Sequence, residues 1–338
     1  MKLKQIFRKT FRVILPLLLG CLLLWYLYQG QDFGEMMEVA KKGVRYDILL
    51  FSLLFGLGGN IFRGLRWGLL IDSLGAHVKK KNVILAVLGN YAINMVLPRV
   101  GEIWRCGVTS KYEKIPFTRL IGTMLVDRVM DTVVVSLAFV IVFSFNLSFF
   151  SVYFSRNPEF VEGIYSMFSS VWMYAAILLF VAVVWFCMKK WEHLSFVKKI
   201  KDAILNIWEG IKCLWKLDRK ALFVFQTLMI WGCYFLYFYI TFYAFDFTCN
   251  SGIRTGLIVF LMGSIGVAVP IQGGIGVWHF MVISTLVTFG VSEVDAGAFA
   301  LVVYTIQTVW TIITGLAGVF ALPAVNRNRP ADQISTGG

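Results

Sequence analysis

Residues 95–105 read MVLPRVGEIWR, so an apolar run halts at Pro98 and Arg99, Glu102 and Arg105 follow at once around Gly101. Just downstream, IGTMLVDRVMD places Asp127 and Asp131 one turn apart on one helical face, with Arg128 able to reach Asp131 at i+3. Upstream, Asn90 and Asn94 share a face in the same way. These arginines and carboxylates balance, Arg99, Arg105 and Arg128 against Glu102, Asp127 and Asp131. Two chemistries are open to such a set. The charges can neutralise one another and pin a hairpin to a helix. Alternatively, part of the set exchanges with a lipid phosphate, for which the guanidinium fork is suited because it stays charged and binds oxygens bidentately. On that reading Arg99 or Arg105 holds the phosphate, while Glu102, Asp127 and Asp131 hold the arginines. Asp127 with Asp131 is also the carboxylate pair that a metal-dependent polyprenyl-phosphate transferase would require.

A second group lies in PIQGGIGVWHF. A helix opening at Gly274 would aim free N–H groups at an anion, and Gln272, Gly273 and His279 would add backbone approach, hydrogen bonds or a titrating proton. The same glycines equally suit close helix packing, with His279 a buried imidazole. A third group is the polar stripe Tyr304, Gln307, Thr308, Thr311 and Thr314, whose helical spacing faces a wet cavity or a partner helix rather than lipid. Arg63 and Arg66 read as side chains that snorkel to the interface. Ser264 and His279 could form a hydrolytic dyad, but the G-x-S-x-G elbow is missing. No phosphate-binding G-x-x-x-x-G-K-[ST] loop and no H-E-x-x-H occurs. The expectation is a protein that is not an enzyme and uses no cofactor or metal.

The elements that must position these groups follow from composition. Of 338 residues, 58% are hydrophobic and only 15% charged, and mean hydropathy is +0.74. Soluble domains carry about 25% charged residues. The chain therefore reads as a single all-α polytopic membrane domain over 1–338. Strong apolar spans lie near 13–28, 46–62 with room to run to 74, 120–146, 171–188, 221–245 and 297–322, with weaker pieces at 83–97, 255–269 and 274–290. The positive-inside rule places both termini in the cytoplasm. It also makes 83–110 a re-entrant hairpin entered from that side, since a full crossing there would expose KYEKIPFTR and 189–220 outside. A second hairpin turns at Pro270 and Gly273-Gly274, although charge alone does not separate it from two crossings. The count is about six full spans plus two re-entrant hairpins, or eight transmembrane segments. The order span, span, hairpin, span, met twice with opposite sense, outlines an inverted-topology repeat with halves 10–146 and 171–322.

The segment 147–170 is expected as an external loop. Over 191–216, Val197, Ile200, Ile204, Ile207, Ile211 and Leu214 recur at helical spacing among lysines, which suits an amphipathic helix on the cytoplasmic surface or against the protein itself. The net charge of +13 belongs to cytoplasmic loops rather than to nucleic-acid binding. The six cysteines are scattered, without metal-ligand spacing, and read as buried hydrophobes.

LPRVGEIWR, then IGTMLVDRVMD, then PIQGGIGVWHF followed by Gly290-Val291, together resemble the flippase-like lysylphosphatidylglycerol synthase transmembrane-region family over about residues 10–322. The resemblance implies a multi-pass inner-membrane protein whose partners are membrane lipids, an anionic phospholipid or a polyprenyl phosphate. It places the family's charged motif on Glu102, Arg105, Asp127, Arg128 and Asp131, and its glycine motif on Pro270, Gly273, Gly274 and Gly276. Two positions depart from the pattern, His279 and Asp127, where the family often carries Glu, and the first puts proton coupling at that site in doubt. With no appended soluble domain, the chain is expected not to attach an amino acid to a lipid itself. A lipid translocase is the leading expectation. A membrane subunit that docks a glycosyltransferase or lipid-modifying enzyme is the alternative, beside the polyprenyl-phosphate transferase already named.

Overall fold

A computed structural model describes residues 33–97, 99–169, 212–215, 217–269, 271 and 274–327, together with isolated positions at 25, 28, 174–175, 178–179, 202, 205 and 207–208. Most of the spans anticipated at 13–28 and 171–188, most of the amphipathic segment 191–216, and Pro98, Pro270, Gln272 and Gly273 lie outside the described residues.

The chain is an all-α polytopic membrane protein. Among the described residues, four helices are long and apolar enough to cross a membrane. They are α2 (Tyr46–Asp72), α5 (Phe117–Phe145), α8 (Lys220–Tyr239, prolonged by a 3-10 turn at Ile240–Ala244) and α11 (Glu293–Val325). A short α1 (Phe33–Lys42) precedes them. Between α2 and α5 stands a hairpin of α3 (Lys80–Val96) and α4 (Val100–Glu113). Between α8 and α11 stands a hairpin of α9 (Ile253–Ala268) and α10 (Val277–Thr288). At ~1.5 Å per residue the arms measure about 18–26 Å, short of the ~30 Å hydrocarbon thickness. Of the segment 147–170, expected as a loop, the described residues 147–169 instead form α6 (Leu147–Arg156) and α7 (Pro158–Ser169). The reason is an apolar face: Phe149, Phe150 and Tyr153 are buried against Met281 and its neighbours, and Phe149 stacks on Phe289 at 4.4 Å.

The bases of the two hairpins lie at opposite ends of the bundle. The base of the first is closed where Asn82 donates to Glu113. Asn82 and Asn326, at the end of α11, exchange side-chain hydrogen bonds of 3.1 and 2.8 Å. The base of the second lies at the far end of α5, where Arg254 donates to Asn146 at 2.5 Å. The 29 residues of α5, about 43 Å of helix, separate these bases. The tips meet in between: Arg99, at the first turn, donates to the carbonyl of Ala268, the last residue of α9, at 3.2 Å.

Close backbone approach makes this meeting possible. The α3 and α11 helices touch where Gly315 and Gly318 face Leu85, Leu88 and Ala92. A Cβ on Gly318 would stand 2.8 Å from the Leu85 carbonyl oxygen and one on Gly315 2.9 Å from that of Leu88. Small residues at helix contacts replace the hydrophobic drive that lipid surroundings remove. Away from the body, α5 presents Leu125, Val129, Val133, Leu137 and Ile141 as an exposed stripe, the apolar face a bilayer requires.

Candidate functional site

The first hairpin turns between α3 and α4, where the Val100 amide donates to the Leu97 carbonyl at 3.2 Å. Arg99 is held at φ 66, a left-handed conformation uncommon for a residue with a Cβ. Gly101 follows because α4 starts in contact with the carbonyl of Asn90, where a Cβ would collide. Asn94 accepts from the Gly101 amide at 2.9 Å and so satisfies one free donor at the helix start. Asn90 is buried beneath this turn. The α4 helix then presents Glu102 and Arg105 one turn apart.

Four arginines and three carboxylates form one network. Asp127, fully buried, accepts from Arg66 Nη2 at 2.6 Å and Nε at 3.1 Å, and from Arg105 Nη2 at 3.2 Å. Asp131 accepts from Arg66 Nη2 at 2.7 Å and from Arg63. Arg128 pairs with Glu102 at 2.9 Å and lies 3.7 Å from Asp131. Aromatic faces back the guanidiniums: Arg63 over Tyr234, Arg66 over Phe223 and Arg105 over Trp67 at 4.7 Å. Tyr234 extends the network, accepting from Arg63 Nε at 3.1 Å and donating to Asn60 at 2.7 Å, with the Tyr91 hydroxyl 3.2 Å away.

This corrects the reading of Arg63 and Arg66 as snorkelling side chains. Both are buried, at 3% and 0% exposure, because α5 offers them two carboxylates at matching helical spacing. The charge balance changes with it. The neutral set of the sequence becomes, among the described residues, five guanidiniums against three carboxylates once Arg63 and Arg66 join. Asp127 and Asp131, weighed as a metal-binding pair, instead have their oxygens turned to arginines.

Beside the network lies a cavity of about 740 Å³, lined by Arg63, Arg99, Glu102, Arg128 and Asp131 on one wall. Asn94, Gly274, Tyr304 and Gln307 also line it, with Thr308 and Thr311 of the polar stripe and the rings of Trp231, Tyr234, Trp278 and Trp310. Gln307 donates to the Tyr237 carbonyl at 3.1 Å. Thr311 and Thr314 bond their own helix, as hydroxyls on helices commonly do. Ser264 faces the cavity but donates to the Phe260 carbonyl. The other expected site residues stand elsewhere. Arg105, expected to hold a phosphate, is fully buried behind the wall with Asp127. His279 is buried among Tyr28, Trp278 and Tyr304. Sequence reading missed Arg63, Arg66, Asn60, Tyr91 and Tyr234. Two arginines one turn apart in a strong apolar span were the available signal for the first two.

A family model, the lysylphosphatidylglycerol synthase TM region, matches residues 13–315. The chain belongs to that family. As a member it is similar to a UPF0104 membrane protein of Methanocaldococcus jannaschii, with 35% identity over 92 residues, which is 26% of this chain and 27% of that protein. The match thus spans about a quarter of the relative's length. No solved structure matches the chain.

Proposed function

We propose that this family member is a lipid translocase of the cytoplasmic membrane. Both hairpins act as re-entrant elements, the two halves form an inverted repeat, and a lipid headgroup passes between the tips while its tails stay in the bilayer. The observation that carries the reading is the cavity at the meeting of the two tips, lined by three guanidiniums and by aromatic rings. Supporting the repeat, the helix that ends each half packs on the first arm of the other half's hairpin, α11 on α3 and α5 on α9. Broken helices meeting in this way are how transporters build a site at mid-membrane. The charges fit an anionic headgroup such as that of a phospholipid or polyprenyl phosphate. With no nucleotide loop in the sequence, movement runs down a gradient or is pulled by consumption of lipid on the far side.

The test is reconstitution in liposomes with a fluorescent anionic phospholipid, read by chemical quenching of the outer leaflet. Arg128→Gln should slow scrambling about tenfold. Arg156→Gln, which loses only a contact to the Val287 carbonyl away from the cavity, should leave it unchanged. A correctly folded Arg128→Gln protein that scrambles at the wild-type rate overturns the mechanism.

A further inference from the structure

Charge bookkeeping in the network says more about the headgroup than its sign. Asp127 is spent on Arg66 and Arg105. Asp131 and Glu102 are shared between Arg63, Arg66 and Arg128. Four guanidiniums thus meet three carboxylates and retain one positive charge. Arg99 adds another, because its described partner is the uncharged carbonyl of Ala268. The carbonyl end of α9 offers only a partial negative charge. Trp231, Tyr234, Phe238, Phe260, Trp278 and Trp310 also line the cavity, while Arg99 itself is exposed at its edge and free to meet a ligand. One surplus positive charge in the network beside the cavity, and a second on Arg99 at its edge, together favour two negative charges on whatever binds there.

We propose that the cavity selects a lipid whose headgroup is a doubly charged phosphomonoester, over phosphodiester, zwitterionic and aminoacylated headgroups. This rests on the translocase reading for its site but concerns binding alone. A phosphodiester carries one charge and leaves one guanidinium unmatched. An amine on the headgroup would meet arginines, since Glu102 and Asp131 already face guanidiniums. A terminal phosphate has three free oxygens, enough to accept from two guanidiniums, and Arg99 and Arg128 both line the cavity.

The experiment is competitive native mass spectrometry on the full-length protein in detergent, with phosphatidic acid, phosphatidylglycerol and phosphatidylethanolamine of identical chains. At pH 8 phosphatidic acid should bind about tenfold tighter than phosphatidylglycerol, equivalent to about 1.4 kcal/mol, and phosphatidylethanolamine should not compete. The second phosphate proton dissociates near pH 6, whereas arginine stays charged throughout. The preference should therefore fade as pH falls from 8 to 5. Arg99→Gln removes a positive charge without orphaning a carboxylate and should narrow the preference to about threefold or less. Equal binding of the two anionic lipids at pH 8, or a preference indifferent to pH in the wild type, refutes the proposal. Competition by glycerol 3-phosphate at the same concentration as phosphatidic acid would assign the site to a soluble phosphate instead and overturn the lipid. Retained selectivity without scrambling in liposomes would count against translocation, not against this headgroup.

Discussion

Asp127→Asn is the sharpest test of the buried network. The carboxylate is fully buried and lies within 3.2 Å of guanidinium nitrogens from two helices, Arg66 of α2 and Arg105 of α4. The amide keeps the shape but cancels the charge. It leaves Arg66 with Asp131 as its remaining carboxylate and Arg105 with none in hydrogen-bond reach. Removing one partner of a buried ion pair costs about 3–5 kcal/mol, because the orphaned charge cannot regain water. Glu102→Gln is the matched control. Its pair with Arg128 is partly open, with side chains 13% and 28% exposed, and pairs near water contribute about 0–1 kcal/mol. Thermal unfolding in detergent, followed by tryptophan fluorescence, should show Asp127→Asn melting several degrees below Glu102→Gln. The double variant Asp127→Asn with Arg105→Gln discards the orphan and should recover part of the loss, a coupling of about 1–2 kcal/mol. If Asp127→Asn is as stable as Glu102→Gln, or if the second substitution adds fully to the damage of the first, the cluster is not held by charge in the way described.

Three other outcomes are expected. Gly318→Val places a side chain against the Leu85 carbonyl and should cost about 1–3 kcal/mol by overpacking, seen as a lower melting temperature and loss of monodispersity on size exclusion. Single cysteines at His77 and Lys114, before and after the first hairpin, should both react with an impermeant maleimide from one membrane face; reaction from opposite faces would make 83–110 a full crossing. Cys213 is buried and its thiol is pushed up to about 12 by that burial, against a smaller lowering from Ser73. A raised thiol pKa keeps the thiolate scarce at every pH below it, so a Cys213-only variant should label far more slowly at pH 8 than a Cys249-only variant. Equal rates would place Cys213 in solvent.

The element pattern was legible in the sequence because bilayer thickness converts apolar run length directly into helix type. Runs near 120–146 and 297–322 are long enough to cross, whereas those near 83–97 and 255–269 stop short at Pro, Gly or charge. The break between α3 and α4 was legible too, since an apolar run that meets Pro98, Arg99 and Gly101 in succession is poorly suited to continue as one helix. Asp127 and Asp131 could be placed on one face by the helical period alone. Their partners could not. Arg63 and Arg66 lie more than sixty positions upstream, and whether they point to headgroups or to α5 depends on which long helix lies beside α2. A local pattern carries no such information. The same holds for Arg105, which is buried against Asp127, and for Arg99, which reaches the carbonyl of a helix in the other hairpin. Periodicity and hydropathy decided which residues are helical and roughly which face is polar. Only the packing of α2, α4 and α5 decided how the charges pair, and with it the sign of what remains: a set that is neutral along the chain is cationic in space.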